Sequence, residues 1–145
     1  MKILNLIKKN PIQSAAIVAG AFFLYSSLKT KSNKDTADQV DDELNQPGVS
    51  LSYPLSNYSL MADQLQSAMF DAGTDENTIY SVMAKLKNPK DLLQLIKSFG
   101  LRTYYQFGWP QGKYNLGQWF QEELSDSEKD KINQILAGNS INYQF

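Results

Sequence analysis

The chain has 145 residues, a formal net charge of −1, 42% hydrophobic residues and 20% charged residues, which suits one modest domain with an accessory segment. Because the sequence contains neither histidine nor cysteine, it excludes a Ser-His-Asp triad, a thiolate nucleophile, a disulfide framework and the usual zinc ligands. Residues 54–145 carry ten acidic and eight basic residues, so no nucleic-acid partner is expected.

The first predicted element is an uncharged run from Pro11 to Leu28 with lysines on both sides. A bilayer-spanning helix needs about 17–25 mostly apolar residues, so we predict that residues 1–30 form a single-pass anchor in a lipid bilayer. A short buried core helix is the alternative, whereas a secretory signal lacks a suitable cleavage site after Phe23. Similar numbers of flanking lysines leave the orientation open. The predicted lipid-contacting residues are Ile17, Val18, Phe22, Phe23, Leu24 and Tyr25.

Residues 31–53 follow as a polar segment that contains five acidic residues and, from Asp35 onward, no basic residue. Such a composition buries too little apolar surface to offset its ordering entropy. We therefore predict an acidic flexible linker, in which a short helix around 35–44 is compatible with the sequence. Pro47 and Gly48 are typical of a turn near its end.

From Pro54 onward the apolar residues recur at helical spacing, which predicts five short helices around one core. Thr74 is expected to cap the second helix, Asn88 with Pro89 to begin the third, and Ser125 with Glu128 to form a capping box at the fifth. The predicted core positions are Met61, Leu65, Ala68, Met69, Ile79, Val82, Met83, Leu86, Leu92, Ile96, Phe99, Leu116, Trp119, Phe120, Leu124, Ile132, Ile135 and Leu136.

An aromatic loop is predicted at 101–114, between the third and fourth helices. Long loops in compact domains are often functional, and aromatic residues are enriched in protein interfaces. Two interpretations stay open, because the rings can contact a protein partner or fold back to enlarge a small core. The candidate partner-binding residues are Tyr104, Tyr105, Phe107, Trp109 and Tyr114.

The residues Ala68 to Glu76 (AMFDAGTDE), followed by Ile79, resemble the first helix, loop and second helix of an annexin repeat. Glu123, Leu124 and Ser125 resemble the later E-L-S/T signature of that repeat. The resemblance covers about residues 57–137, once. It implies an all-α fold, with a compact five-helix annexin-repeat-like module at 54–145 behind the anchor and the linker.

The same resemblance implies a calcium site, in which backbone carbonyls of the first loop and a distant carboxylate hold the ion. The matching positions are Met69, Asp71 and Gly73 for the carbonyls and Glu123 for the carboxylate. Carbonyl, carboxylate and water oxygens suit calcium. The alternative is that this loop only ends one helix and caps the next, with no cofactor bound.

Catalysis is not expected, since adjacent carboxylates such as Glu122 and Glu123 point about 100° apart on a helix. The lysine-flanked anchor, the single G-T-D-E motif and the ending INYQF are similar to small proteins of phages infecting Bacteroidetes. This resemblance implies a structural virion protein that links a membrane to capsid or vertex proteins, with self-association also compatible. The alternative function is a calcium-dependent lipid- or protein-binding module of a bacterial cell envelope.

Overall fold

The structure is a computed structural model, and it describes residues 40–45, 47–70 and 73–145. This part of the chain is mostly helical, with a small antiparallel hairpin. Residues 40–45 are helical. The elements that follow are α1 (Leu55–Met69), α2 (Glu76–Ala84), α3 (Pro89–Phe99), β1 (Arg102–Gln106), β2 (Trp109–Tyr114), α4 (Leu116–Glu123) and α5 (Asp126–Gly138).

The predicted apolar stripes form one shared core. Helix α1 packs against α2 and α3, and α2 packs against α5. All predicted core positions are buried except Ile135, which is partly buried. Each large apolar side chain removed from water stabilises the fold by about 1.5–3 kcal/mol. Burial of these side chains is therefore the main interaction that holds the five helices together.

The helix ends follow the local sequence, with one difference. Asn88 accepts a hydrogen bond from the Asp91 amide and Pro89 opens α3, and the Glu128 carboxylate accepts from the Ser125 amide at α5, so both predicted caps are confirmed. The predicted cap at Thr74 was wrong. Asp75 caps α2 instead, because its carboxylate lies where it can accept from the Thr78 amide at 3.1 Å.

The segment 101–114 differs from the predicted all-α fold, because it forms a β-hairpin. Arg102 pairs with Tyr114 and Gln106 pairs with Trp109, with an irregularity between Tyr104 and Tyr105. The local cause is a run of residues with high strand propensity before a two-residue turn. The all-α prediction is therefore wrong for this one segment, and the described part of the chain is otherwise mostly helical.

The base of the hairpin is fixed to two helices by Arg102. Its guanidinium donates to the Gln66 side chain at 2.6 Å and forms an ion pair with Asp63 at 2.9 Å, both on α1. Its Nε donates to the Phe99 carbonyl at the end of α3. Because these contacts converge on one side chain, the hairpin projects from the module in a defined direction.

A buried carboxylate, Asp91 on α3, connects the segment before α1 to the module. Asp91 is 0% exposed, and it accepts hydrogen bonds from the Tyr58 hydroxyl at 2.6 Å and from the Ser52 and Lys87 amides at 2.9 and 2.8 Å. Burial by itself raises the pKa of the Asp91 carboxyl, but these hydrogen bonds outweigh burial, so its pKa lies below the ordinary aspartate value.

Parts of the predicted flexible linker lie against the module. Val40 is buried and Asp41 forms an ion pair with Lys97 of α3 at 2.6 Å. The Tyr53 hydroxyl donates to the Lys85 carbonyl. These contacts arise because the segment supplies several apolar side chains that pack on the core and polar groups that pair with α3 and with the residue after α2. They bring residues 40–45 and 50–53 onto the helical module.

The predicted membrane anchor, from Pro11 to Leu28, lies outside the described residues. Within the described ranges, no helix has the length and apolar character needed to cross a bilayer. The chain end at 140–145 lies on the helical module, since Ile141 and Tyr143 are buried and the Phe145 ring contacts the Phe120 ring at 4.8 Å between centroids.

Candidate partner-binding site

The hairpin divides the five predicted partner-binding residues into two groups. Tyr104 is 5% exposed and its ring stacks on that of Tyr114, with centroids 5.1 Å apart. Tyr104 also meets the edge of the buried Trp119 ring at 5.0 Å. Tyr104 and Tyr114 therefore enlarge the core and position the hairpin.

The other three residues are exposed at the end of the hairpin, and we call Tyr105, Phe107 and Trp109 the aromatic tip. Their exposed fractions are 43%, 94% and 75%. Core packing thus accounts for Tyr104 and Tyr114, whereas the exposed rings of the aromatic tip are the ones that remain candidates for contact with a partner.

The backbone at the aromatic tip is unusual because Phe107 has a φ of 53°, followed by Gly108 with a φ of 81°. A two-residue hairpin turn with both φ values positive is of type I′, which favours asparagine followed by glycine. A residue with a Cβ in the left-handed region costs about 1–2 kcal/mol. Phe107 therefore carries both a conformational cost and an exposed apolar ring.

Phe70, at the end of α1, adds a fourth exposed ring beside the tip. It is 53% exposed, and its ring meets that of Tyr105 edge to face at 5.8 Å. Sequence reasoning placed Phe70 in the annexin-like motif and missed it as a surface residue. The available signal was that Phe70 directly follows the last buried position of the α1 stripe, Met69.

A pocket of about 440 Å³ lies between the aromatic tip, the end of α1 and the end of α4. Its lining includes the aromatic residues Phe70, Tyr105 and Phe107, and its charged residue among the described ones is Glu123. Pockets for small ligands typically measure about 300–1,000 Å³. The hairpin turn thus forms one wall of a concave surface.

Glu123 connects three segments at this pocket. One carboxylate oxygen accepts from the Tyr104 hydroxyl at 2.7 Å, and the other accepts from the Thr74 hydroxyl at 3.0 Å. The pKa of the Tyr104 hydroxyl is raised by burial, by its hydrogen bond to Glu123 and by the negative charges of Glu123 and Glu122. Burial is the largest cause of this shift, and the two glutamates add negative charge next to the pocket.

Three of the four predicted calcium ligands, Met69, Gly73 and Glu123, lie among the described residues. Met69 and Glu123 line the same pocket, and Gly73 precedes Thr74, which bonds to Glu123. Asp71 lies outside the described residues. No group of three or more aspartate, glutamate, histidine or cysteine side chains suited to a metal occurs in the part of the chain that the structure covers.

Comparison with protein-family models, curated proteins and solved structures finds no match to this chain. The annexin and phage resemblances therefore rest on the residues quoted for them.

Proposed function

We propose that this chain is a non-enzymatic, membrane-anchored adapter that docks on a protein partner through its aromatic tip. The observation that carries the proposal is that Phe107 is 94% exposed although its backbone has an unfavourable φ of 53°. Asparagine would relieve the strain of this turn and remove the exposed ring. A residue that costs stability and leaves its ring almost wholly exposed is best explained by a contact outside the module.

The neighbouring residues support a protein partner. Trp109 and Tyr105 are exposed next to Phe107, and tryptophan and tyrosine are enriched among the residues that dominate binding energy in protein interfaces. Tyr104 and Arg102 fix the hairpin on the module. A preorganised hairpin loses little conformational freedom on binding, and this improves affinity.

The membrane anchor at residues 1–30 and the virion setting belong to the same proposal. They are supported by the lysine-flanked apolar run and by the resemblance to phage proteins. In this setting the partner is a capsid or other virion protein beside a lipid membrane. The alternative setting is a bacterial cell envelope.

A second candidate function is calcium-dependent binding to lipid or protein. It is favoured by one observation, the hydrogen bond between Glu123 and Thr74, which places the carboxylate next to the loop that follows α1. Titration of the full chain with calcium chloride, followed by circular dichroism melting, tests it. A melting temperature that rises with calcium in the parent chain and not in Glu123→Gln supports this function, and no rise contradicts it.

The adapter is tested with the double variant Tyr105→Ala and Trp109→Ala, incorporated in its native source. Leu60→Ala is the matched control, because it removes a side chain that is 61% exposed on α1 and lies outside the aromatic tip. Particles are separated on a density gradient, washed with carbonate and analysed by mass spectrometry. Losing two interface anchors weakens binding by roughly 2 kcal/mol or more, so we expect at least about a tenfold loss of incorporation.

The parent chain and the Leu60→Ala variant should co-migrate with lipid-containing particles and be released by detergent. Unchanged incorporation of the double variant would contradict docking through the aromatic tip. Recovery of the parent chain only in the cell envelope would contradict the virion setting and favour the cellular one.

A further inference from the structure

The pocket beside the aromatic tip combines aromatic rings with one carboxylate. Phe70, Tyr105 and Phe107 contribute rings to its walls, and Glu123 is the charged residue among the described residues that line it. The negative face of an aromatic ring attracts a cation positioned over it. Rings around a carboxylate therefore form a surface that favours a positively charged group.

The Glu123 carboxylate retains hydrogen-bonding capacity. Each of its two oxygens accepts one hydrogen bond from the module, from Tyr104 or Thr74, whereas an ionised carboxylate offers about four acceptor positions. Among the described residues, no lysine or arginine forms an ion pair with Glu123. A donor with a positive charge would fill these positions and neutralise the site.

The charges of Glu123 and Glu122 also favour a positively charged ligand. The pKa of the Tyr104 hydroxyl is raised by burial, by its bond to Glu123 and by the charges of Glu123 and Glu122. An anionic ligand would meet these negative charges. A purely apolar ligand would desolvate the Glu123 carboxylate without replacing its lost hydrogen bonds to water, which is costly.

We propose that this pocket binds the guanidinium group of an arginine side chain presented by the protein partner. A guanidinium is planar, stacks on aromatic rings and donates two parallel hydrogen bonds to a carboxylate. A lysine ammonium makes neither the flat stacking contact nor the paired hydrogen bonds. The inference rests on the proposed function, because it supplies the chemistry of the surface on which the aromatic tip docks.

The direct test uses the full chain in detergent micelles and a small probe, N-acetyl-arginine amide. The matched control probe is N-acetyl-citrulline amide, which has nearly the same shape and no charge. Binding is followed by NMR through the Gly108 amide and the Met69 methyl group, both at the pocket. We expect saturable shifts with the arginine probe and at least about tenfold weaker binding of citrulline, because charge-assisted hydrogen bonds are lost.

Protein variants locate the interaction. Glu123→Gln should weaken arginine binding about tenfold, whereas Glu122→Gln, which removes the same charge one residue away, should weaken it less than about twofold. Phe70→Leu keeps an apolar side chain and removes a ring, so it should weaken binding about two- to fivefold. Phe70→Leu also keeps the test decisive if Glu123→Gln fails to fold.

Equal binding of the two probes, or equal effects of Glu122→Gln and Glu123→Gln, would overturn the arginine site. Shifts produced by calcium chloride and not by the arginine probe would overturn it as well. Such results would leave docking through the aromatic tip standing, because loss of incorporation in the Tyr105→Ala and Trp109→Ala variant is measured separately. Arginine binding with unchanged incorporation of that variant would contradict the proposed function and retain the site.

Discussion

The described part of the module has two tyrosine–carboxylate hydrogen bonds to compare, one closed and one open. Asp91 accepts from Tyr58 and from two backbone amides in an interior where both residues are fully buried. Glu123 accepts from Tyr104 and from Thr74 at the edge of a pocket. The same pair of functional groups thus fastens the chain in one place and leaves acceptor positions available in the other.

The comparison shows why a hydrogen bond alone does not identify a site. Asp91 accepts from Tyr58 and Lys87 of the module and from Ser52 in the segment before α1, and its side chain is fully buried. At Glu123, the neighbouring rings are exposed and the carboxylate faces a cavity. The candidate site differs from Asp91 because the Glu123 carboxylate keeps free hydrogen-bond acceptor positions and can be reached by a ligand through the pocket.

The largest expected effect comes from removing the closed carboxylate. Asp91→Ala leaves the Tyr58 hydroxyl and the Ser52 and Lys87 amides without their acceptor, and unsatisfied buried groups cost about 1–3 kcal/mol each. We expect the free energy of unfolding to fall by about 3–5 kcal/mol in urea titrations. The exposed Asp130→Ala variant is the control and should change it by less than about 0.5 kcal/mol. Similar losses in both variants would contradict the closed arrangement.

The next expected effect is on acid stability. Because the folded-state pKa of Asp91 is lowered, its ionised form stabilises the fold above the ordinary aspartate pKa of 3.8, and this contribution is lost as pH falls through the lower folded value. The parent chain should therefore lose stability more steeply than Asp91→Asn below about pH 4. Urea titrations between pH 6 and pH 2.5 measure the two slopes, and parallel slopes would contradict the prediction.

A matched pair of tyrosine variants compares the closed and open pairs directly. Tyr58→Phe should lower the free energy of unfolding by about 2 kcal/mol, because it removes a buried hydrogen bond to a charged group. Tyr104→Phe should lower it by about 0.5–1 kcal/mol, since water can reach Glu123 and replace the lost donor. Urea titrations of both variants at pH 7 give the difference. A larger loss in Tyr104→Phe would mean that the pocket is closed to water.

The smallest expected effect is a gain in the free energy of unfolding, whereas the other variants lower it. Phe107→Asn places the residue preferred in a type I′ turn at a position with a φ of 53°, so we expect the free energy of unfolding to rise by about 0.5–1 kcal/mol. The same variant should weaken partner docking. Thermal melting and the density-gradient assay measure the two properties. A destabilised variant would contradict the assigned strain, and undiminished docking would contradict the role of the ring.

The helical part of the fold was predictable because its signals are local and repeated. Positions such as Leu65, Ile79 and Trp119 lie on apolar stripes and are buried, and Asn88 with Pro89 marks a helix start. The hairpin was missed because a phenylalanine occupies the first turn position, where asparagine would have indicated a type I′ turn.

Within the candidate site, the sequence identified the aromatic residues and left their division undecided. Tyr104 and Tyr105 are adjacent and of the same type, and only the packing of the hairpin on Trp119 separates the buried ring from the exposed one. Glu123 was reached through a family resemblance. Its bond to Tyr104, 19 residues away, depends on tertiary contacts that no local pattern encodes.

The bonds that join the segment before α1 to the helical module also define how the module would carry mechanical load. Tension applied to the chain from its N-terminal side first reaches the Asp41–Lys97 ion pair. It then reaches residues 50–53, where Ser50 accepts from Asn88, Ser52 donates to Asp91 and Tyr53 donates to Lys85. These bonds are loaded before α1, which follows them in sequence. A tether fastened in this way transmits force to the interior of the helical bundle while α1 stays shielded from unwinding.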